Sequence, residues 1–270
     1  MSPRPSTWAS ELAFALETAE RAGAVLMDRY ERLERVHHKS PRDVVTEADH
    51  LSEALIHRAV RDRFPADGFL GEETGGHGRR DGSAATAIAG RTWVADPLDG
   101  TVNYANGIPF FCVSIALVSD GRPVVGVVRD PTRGESFAAT ADGPATLEGR
   151  RIRASEKEQL SDFVVSLHLS GATVASRVRA VRRAVRISRS MGAAALALAY
   201  VANGRFDAFV QQSGLSVWDI AAAGLIAERG GARVTDLGGR PWFDLARPEK
   251  GLAVLAAPPA HHAALLDLAR

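Results

Sequence analysis

The chain has 270 residues, enough for a large core and for either one big domain or two small ones. Hydrophobic residues make up 46% and charged residues 24%, and 33 Lys and Arg against 32 Asp and Glu leave a net charge of +1, which speaks against a nucleic-acid coat or an acidic tail. A single cysteine, Cys112, excludes an intrachain disulfide and disfavours a secreted scaffold. Glu11, Glu17, Glu20 and Arg21 break up every apolar stretch near the N-terminus, so no signal peptide is expected, and the most apolar window, 191–201, is too short to span a bilayer. These readings predict a cytoplasmic protein with no membrane or nucleic-acid partner.

Along the chain, Leu12, Leu16, Ala19, Gly23 and Leu26 recur at helical spacing and predict a helix over about 7–35. Residues 35–41 are polar, end in Ser-Pro and read as a loop. A second helix is predicted from Thr46 or Glu47 to Arg63, stopped by Phe64-Pro65. Residues 69–71 read as a short strand, and the stretch 75–90, rich in Gly, Ser and Ala and carrying Arg79, Arg80 and Asp81, as a flexible loop. Strands follow over 92–96, 112–118, 124–129 and 136–141. The second half alternates: strand 163–167, helix 172–186, a helix from Gly192 to Asn203, strand 207–211, a helix from Trp218 to Gly230, strands 233–236 and 252–256, and a terminal helix 261–270. Such alternation favours layered α and β elements. A soft boundary near 150 would divide an N-terminal part, 1–150, from a C-terminal part, 151–270.

Four acidic clusters stand out: Asp43 and Asp49, the pair Glu72-Glu73, the pair Asp96 and Asp99 in Asp-Pro-Leu-Asp-Gly-Thr, and Asp219 after Trp218. The third is the most informative. A strand delivers Asp96 at its end, Pro97 is expected to block further sheet pairing, and Gly100 permits a tight backbone before Thr101. Two carboxylates three residues apart around a turn can share one cation or span two. Oxygen donors of this kind suit Mg²⁺, and no Cys/His set has zinc spacing. The backbone N–H groups of Gly100 and Thr101 could hold phosphate, and metal with phosphate implies phosphoryl chemistry. The bland alternative is that Asp-Pro and Asp-Gly merely form turns and that Asp219 caps a helix. Trp218 is expected to pack and fix the backbone of Asp219.

Gly71-Glu72-Glu73-Thr74, then Trp93-Val94-Ala95-Asp96-Pro97-Leu98-Asp99-Gly100-Thr101-Val102-Asn103, then Trp218-Asp219-Ile220-Ala221-Ala222 resemble the inositol monophosphatase family, as does the upstream 43–49 segment. The resemblance covers nearly the whole chain. It implies an α/β fold, a layered αβαβα sandwich of the inositol monophosphatase and fructose-1,6-bisphosphatase type, a homodimer, and lithium-sensitive Mg²⁺-dependent hydrolysis of a small phosphate monoester. By motif match, Glu72, Asp96 and the Leu98 carbonyl would hold a first Mg²⁺, Asp96, Asp99 and Asp219 a second, and Glu72 would help hold a third. Asp49 and Thr101 would orient and deprotonate the attacking water. Gly100, Thr101, Ala194 and Asp219 would line the substrate side, and Lys39 matches a basic loop residue near the metals. Where many relatives carry a Glu that contacts sugar hydroxyls, this chain offers Gln212, which both donates and accepts and carries no charge. Inositol 1-phosphate leads as substrate, with histidinol phosphate, fructose 1,6-bisphosphate and 3′-phosphoadenosine 5′-phosphate as alternatives. A non-catalytic phosphatase-like binding protein is the remote one.

Overall fold

The computed structural model describes residues 7–32, 36–40, 43–73, 75–77, 90–169, 174–244 and 250–270, with the side chains of 36–40, 43–44 and 75–77 outside the described set. Helix α1 (Ala9–Arg29) ends earlier than its periodicity predicts, at Tyr30, whose backbone turns extended. Residues 36–40, read as part of a loop, instead form β1 (Val36–Ser40), which pairs antiparallel with β2 (Asp43–Thr46). The β-branched residues Val36, Val44, Val45 and Thr46 favour that extended backbone. Helix α2 (Glu47–Arg63) starts where predicted, capped by Thr46.

Strand β3 (Gly68–Gly71) is followed by β4 (Gly75–His77), so the glycine-rich stretch expected as a loop opens as a strand. Arg79, Arg80 and Asp81 lie outside the described residues. Strand β5 (Thr92–Asp99) runs past Pro97, the expected stop. It resolves the conflict with a bulge: Asp96 faces Ser114 and Asp99 faces Cys112 on the neighbouring strand, so three steps on one side match two on the other. Pro97, which has no N–H to donate, sits inside that bulge. Helix α3 (Thr101–Ala105) comes next, then β6 (Cys112–Ser119), β7 (Arg122–Asp130), β8 (Glu135–Thr140), β9 (Thr146–Leu147) and β10 (Arg150–Arg151). The sheet order is β10-β9-β8-β7-β6-β5-β3-β4.

The second half runs β11 (Val164–His168), α4 (Ala175–Ala184), β12 (Ile187–Arg189), α5 (Ala194–Ala199), β13 (Ala208–Ser216), α6 (Val217–Arg229), β14 (Arg233–Thr235), β15 (Lys250–Ala257) and α7 (Pro259–Ala269), and its five strands form a second sheet. Its order is β12-β11-β13-β15-β14, with β11 parallel to both of its neighbours.

Alternating side chains sort the molecule into five layers. On β6, Val113, Ile115 and Leu117 join the core beneath α1 and α2, while Cys112, Ala116 and Val118 join the core around α5 and α6. On β13, Phe209 and Leu215 face that same central core, and Ala208 and Val210 face the outer core with Val181 of α4 and Leu265 of α7. Both sheets are therefore covered on both faces, which explains their near-continuous apolar strands. The result is the expected αβαβα sandwich. Trp93, the second residue of β5, is fully buried, its Nε1 donating to Asp67 at 3.0 Å and its ring against Phe14 and Phe64. Truncating such an anchor costs about 3–5 kcal/mol. Among the described residues no helix is long and apolar enough to cross a membrane.

Candidate metal centre and active site

The β5 bulge turns Asp96 and Asp99 toward the first turn of α6, where Asp219 stands. One carboxylate oxygen from each of the three lies within 4.8 Å of the others. Asp96 is buried, its Oδ1 accepting the Leu98 N–H at 3.0 Å. Asp99 is also buried and caps α5, its Oδ1 accepting the Ala194 N–H at 3.0 Å and its Oδ2 that of Ala195 at 2.7 Å. Asp219 is the third residue of α6, and its Oδ2 accepts the Ser216 N–H at 2.7 Å in a reciprocal capping box. Capping and cluster membership are thus not rival readings of Asp219, because one oxygen can serve each.

Such crowding acts on the proton affinities. Burial, then the charges of Glu72, Asp99 and Asp219, push the Asp96 carboxyl well above the ordinary carboxylate range. Burial pushes Asp99 up to about 6, restrained by the amides of Ala194, Ala195 and Leu196. Burial and the charge of Asp99 push Asp219 up to about 8. Several buried carboxylates in one place are costly unless a cation compensates. The donors are all hard oxygens, the set that a small divalent cation takes. The residues present therefore fit a divalent metal ion.

Glu72 follows β3, and its charge reaches both Asp96 and Asp219. Gly100, with φ of 95°, adopts the left-handed turn that lets Asp99 lead straight into α3. Thr101 begins that helix, with its Oγ1 3.0 Å from the Leu98 carbonyl and 3.1 Å from Asp49 Oδ1. Asp49, the third residue of α2, accepts from the Thr46 N–H at 2.8 Å and the Thr46 hydroxyl at 2.6 Å through Oδ2. Burial is the main reason its carboxyl is raised, and the Thr46 hydrogen bonds moderate the rise. Trp218 is buried, and its carbonyl accepts the Ser114 hydroxyl at 3.1 Å, so it packs and fixes the backbone beside Asp219 as expected.

A cleft of about 220 Å³ opens beside Asp99 and Asp219, lined by Ser166, His168, Ser190 and Gln211 as well as Ala194. The sequence-based choice, Gln212, is not among its lining residues, and its Oε1 is buried with no hydrogen-bond partner among the described residues. Successive side chains alternate along β13, so Gln211 and Gln212 project from opposite sides of the strand. Ser166 and His168 share one face of β11 by the same alternation, a signal available in the sequence once the strand is placed. Sequence reasoning also passes over Ser52 and Glu53, although they stand three and four residues after Asp49 on a predicted helix. Lys39 lies on β1, but its side chain, like those of Asp43 and Thr74, is outside the described residues.

The profile described as the inositol monophosphatase family matches residues 8–270. Inositol monophosphatase 2 of Solanum lycopersicum is 37% identical over 246 residues, covering 86% of this chain and 88% of the relative. The fructose-1,6-bisphosphatase/inositol-1-monophosphatase of Thermotoga maritima is 34% identical over 230 residues, covering 85% and 86%. Among solved structures, the extragenic suppressor protein suhB of Bartonella henselae aligns with a TM-score of 0.87 at 32% identity, over 97% of this chain and 98% of that one. Matches of this extent, over the whole layered fold and its acidic cluster, mean that the chain belongs to the inositol monophosphatase family of metal-dependent phosphoric monoester hydrolases.

Proposed function

We propose that this chain hydrolyses the phosphate monoester of a small polyol or sugar, inositol 1-phosphate first among them, with Mg²⁺ in the acidic cluster. The reading includes a cytoplasmic homodimer, as the family resemblance implies. The observation that carries it is the convergence of Asp96, Asp99 and Asp219 oxygens within 4.8 Å, beside the Thr101–Asp49 pair. Glu72, Asp96, the Leu98 carbonyl, Asp99 and Asp219 would hold two or three ions. Such ions supply Lewis-acid stabilisation of phosphoryl oxygens and lower the pKa of water.

The chain's own residues do the rest. Thr101 Oγ1 has one hydrogen and two acceptors in reach, Asp49 Oδ1 and the Leu98 carbonyl. A proton that Thr101 takes from water therefore passes to Asp49, whose raised pKa brings it nearer the working range of a general base. Gly100 and Thr101 offer N–H groups to phosphoryl oxygens. Ser166, His168, Ser190 and Gln211 offer hydrogen-bonding groups to the hydroxyls of the leaving alcohol. The bifunctional name of the Thermotoga maritima relative supports including fructose 1,6-bisphosphate in the substrate range.

Phosphate release from a panel of esters with Mg²⁺, with and without chelator, tests this reading. Activity that needs Mg²⁺ and vanishes in Asp96→Asn and Asp219→Asn, with both variants folded, is expected. Unchanged turnover in those variants refutes the assigned site.

A further inference from the structure

The acids of the cluster and its neighbours sit on separate stretches of chain: Glu72 after β3, Asp96 and Asp99 on β5, and Thr101 at the start of α3. One face of α2 touches all of these stretches. Asp49, Ser52 and Glu53 fall at i, i+3 and i+4, so they project from the same side. None of the three is more than 1% exposed. Asp49 accepts from Thr101, as above. The Ser52 hydroxyl donates to the Pro97 carbonyl at 2.9 Å, inside the β5 bulge. Glu53 Oε2 accepts the Glu73 N–H at 2.9 Å, one residue after Glu72.

The third contact is the tightest in space. A Cβ added at Gly71 would meet Glu53 Oε2 at 2.4 Å and its carboxyl carbon at 2.5 Å. The Glu53 carboxyl therefore lies directly against the Gly71 backbone and holds the Glu73 amide. Glu72 is the residue between those two fixed points. With the backbone held on each side, its Cα–Cβ bond has a set direction, and its side chain is aimed before any cation arrives.

We propose that Glu53 is a positioning residue for metal binding: clamped between Gly71 and the Glu73 amide, its carboxyl aims Glu72 at the Asp96, Asp99 and Asp219 cluster. This rests on the metal-dependent reading above and adds a residue outside the ligand set. Outer-shell groups that orient ligands are worth about 10–100-fold in metal affinity.

The test is Mn²⁺ binding by the full chain without substrate, followed by the electron paramagnetic resonance signal of free Mn²⁺, with thermal melts in parallel. Glu53→Ala should weaken Mn²⁺ binding about 10–100-fold. Glu53→Gln keeps an acceptor oxygen for the Glu73 amide and should stay within about threefold of the unsubstituted chain. Gly71→Ala should reproduce the Glu53→Ala loss with Glu53 intact, because the new methyl displaces the carboxyl. Wild-type affinity in both Glu53→Ala and Gly71→Ala overturns the inference. So does a loss in Glu53→Gln as large as that in Glu53→Ala, accompanied by an equal drop in melting temperature, which marks general destabilisation. Asp96→Asn separates the two levels: if it binds Mn²⁺ as well as the unsubstituted chain, the metal-site reading itself fails and this inference with it.

Discussion

Asp99 accepts the N–H of Ala194 at 3.0 Å across 95 residues of chain, so a carboxylate of the acidic cluster on β5 also caps helix α5 of the central layer. Asp99→Asn should therefore cost more than ligand chemistry. The Ala194 and Ala195 amides both point at this side chain, and an amide NH₂ can accept from neither. One lost hydrogen bond to a charged group costs about 1.5–3 kcal/mol, and each kcal/mol lowers the melting temperature by roughly 2–4 °C at this size. Turnover should fall by at least the roughly 100-fold that outer-shell losses cost. Calorimetry and phosphate release check the two effects together, and a variant that melts like the unsubstituted chain refutes the capping role.

The proton path through Thr101 predicts a non-additive pair. Thr101→Ala should lower kcat by about 10²–10⁴-fold with KM nearly unchanged, and Thr101→Ser should keep most of the rate. Asp49→Asn should be similarly slow. If both residues serve one path, the double variant is little slower than either single one. Losses that multiply would separate the two residues. Because Asp49 also caps α2, melts must accompany the kinetics.

The raised carboxyls predict how the metal-free chain responds to pH. An ordinary carboxyl of this type titrates near 3.8, whereas Asp99 is pushed to about 6 and Asp219 to about 8, mainly by burial. Between those values the folded state holds protons that the unfolded state releases. Their contribution to stability is thus complete below about 3.8 and is lost as pH rises through about 6 and then about 8. With chelator present, the melting temperature of the unsubstituted chain should fall across that window relative to Asp219→Asn. The same protons oppose cation binding, so Mg²⁺ affinity should tighten from pH 6 to pH 8. A difference between the two chains that does not change with pH contradicts this account.

At the acid end the sign reverses. Arg205 hydrogen-bonds both Glu135 oxygens, and with help from Arg133 it holds that carboxyl down to about 2 against an ordinary 4.5. This contribution is present above about 4.5 and is lost as pH falls toward about 2. Glu135→Gln should cost roughly 1.5–3 kcal/mol at neutral pH and much less at pH 3, as acid-dependent urea titrations would reveal. An equal cost at both pH values rules out the charge.

Much of the site was legible because its residue types are specific to its chemistry. Asp-Pro-Leu-Asp-Gly-Thr names its oxygen donors and its turn in one stretch, and the Thr46/Asp49 and Ser216/Asp219 spacings are those of capping boxes, a signal carried by residue type and spacing alone. The layers were legible from apolar strands alternating with amphipathic helices. What escaped depends on register or on tertiary contact. Propensity could not announce that β5 survives Pro97 through a bulge, because the bulge is set by its pairing with β6. The motif match put Gln212 on the substrate side, but it is Gln211 that lines the cleft beside Asp99 and Asp219, because neighbouring residues of β13 face opposite ways. Glu53 carries no sequence signal of its own, since only the fold brings Gly71 against it.

The triad of aspartates is drawn from two different layers, Asp96 and Asp99 from the first sheet and Asp219 from the helical tier that separates it from the second. An ion gripping all three would work as a clasp across the seam between those layers. Its binding energy would then belong to the docked arrangement alone, so that a partly opened chain forfeits it, and loading the site would stiffen the whole sandwich as well as arm it.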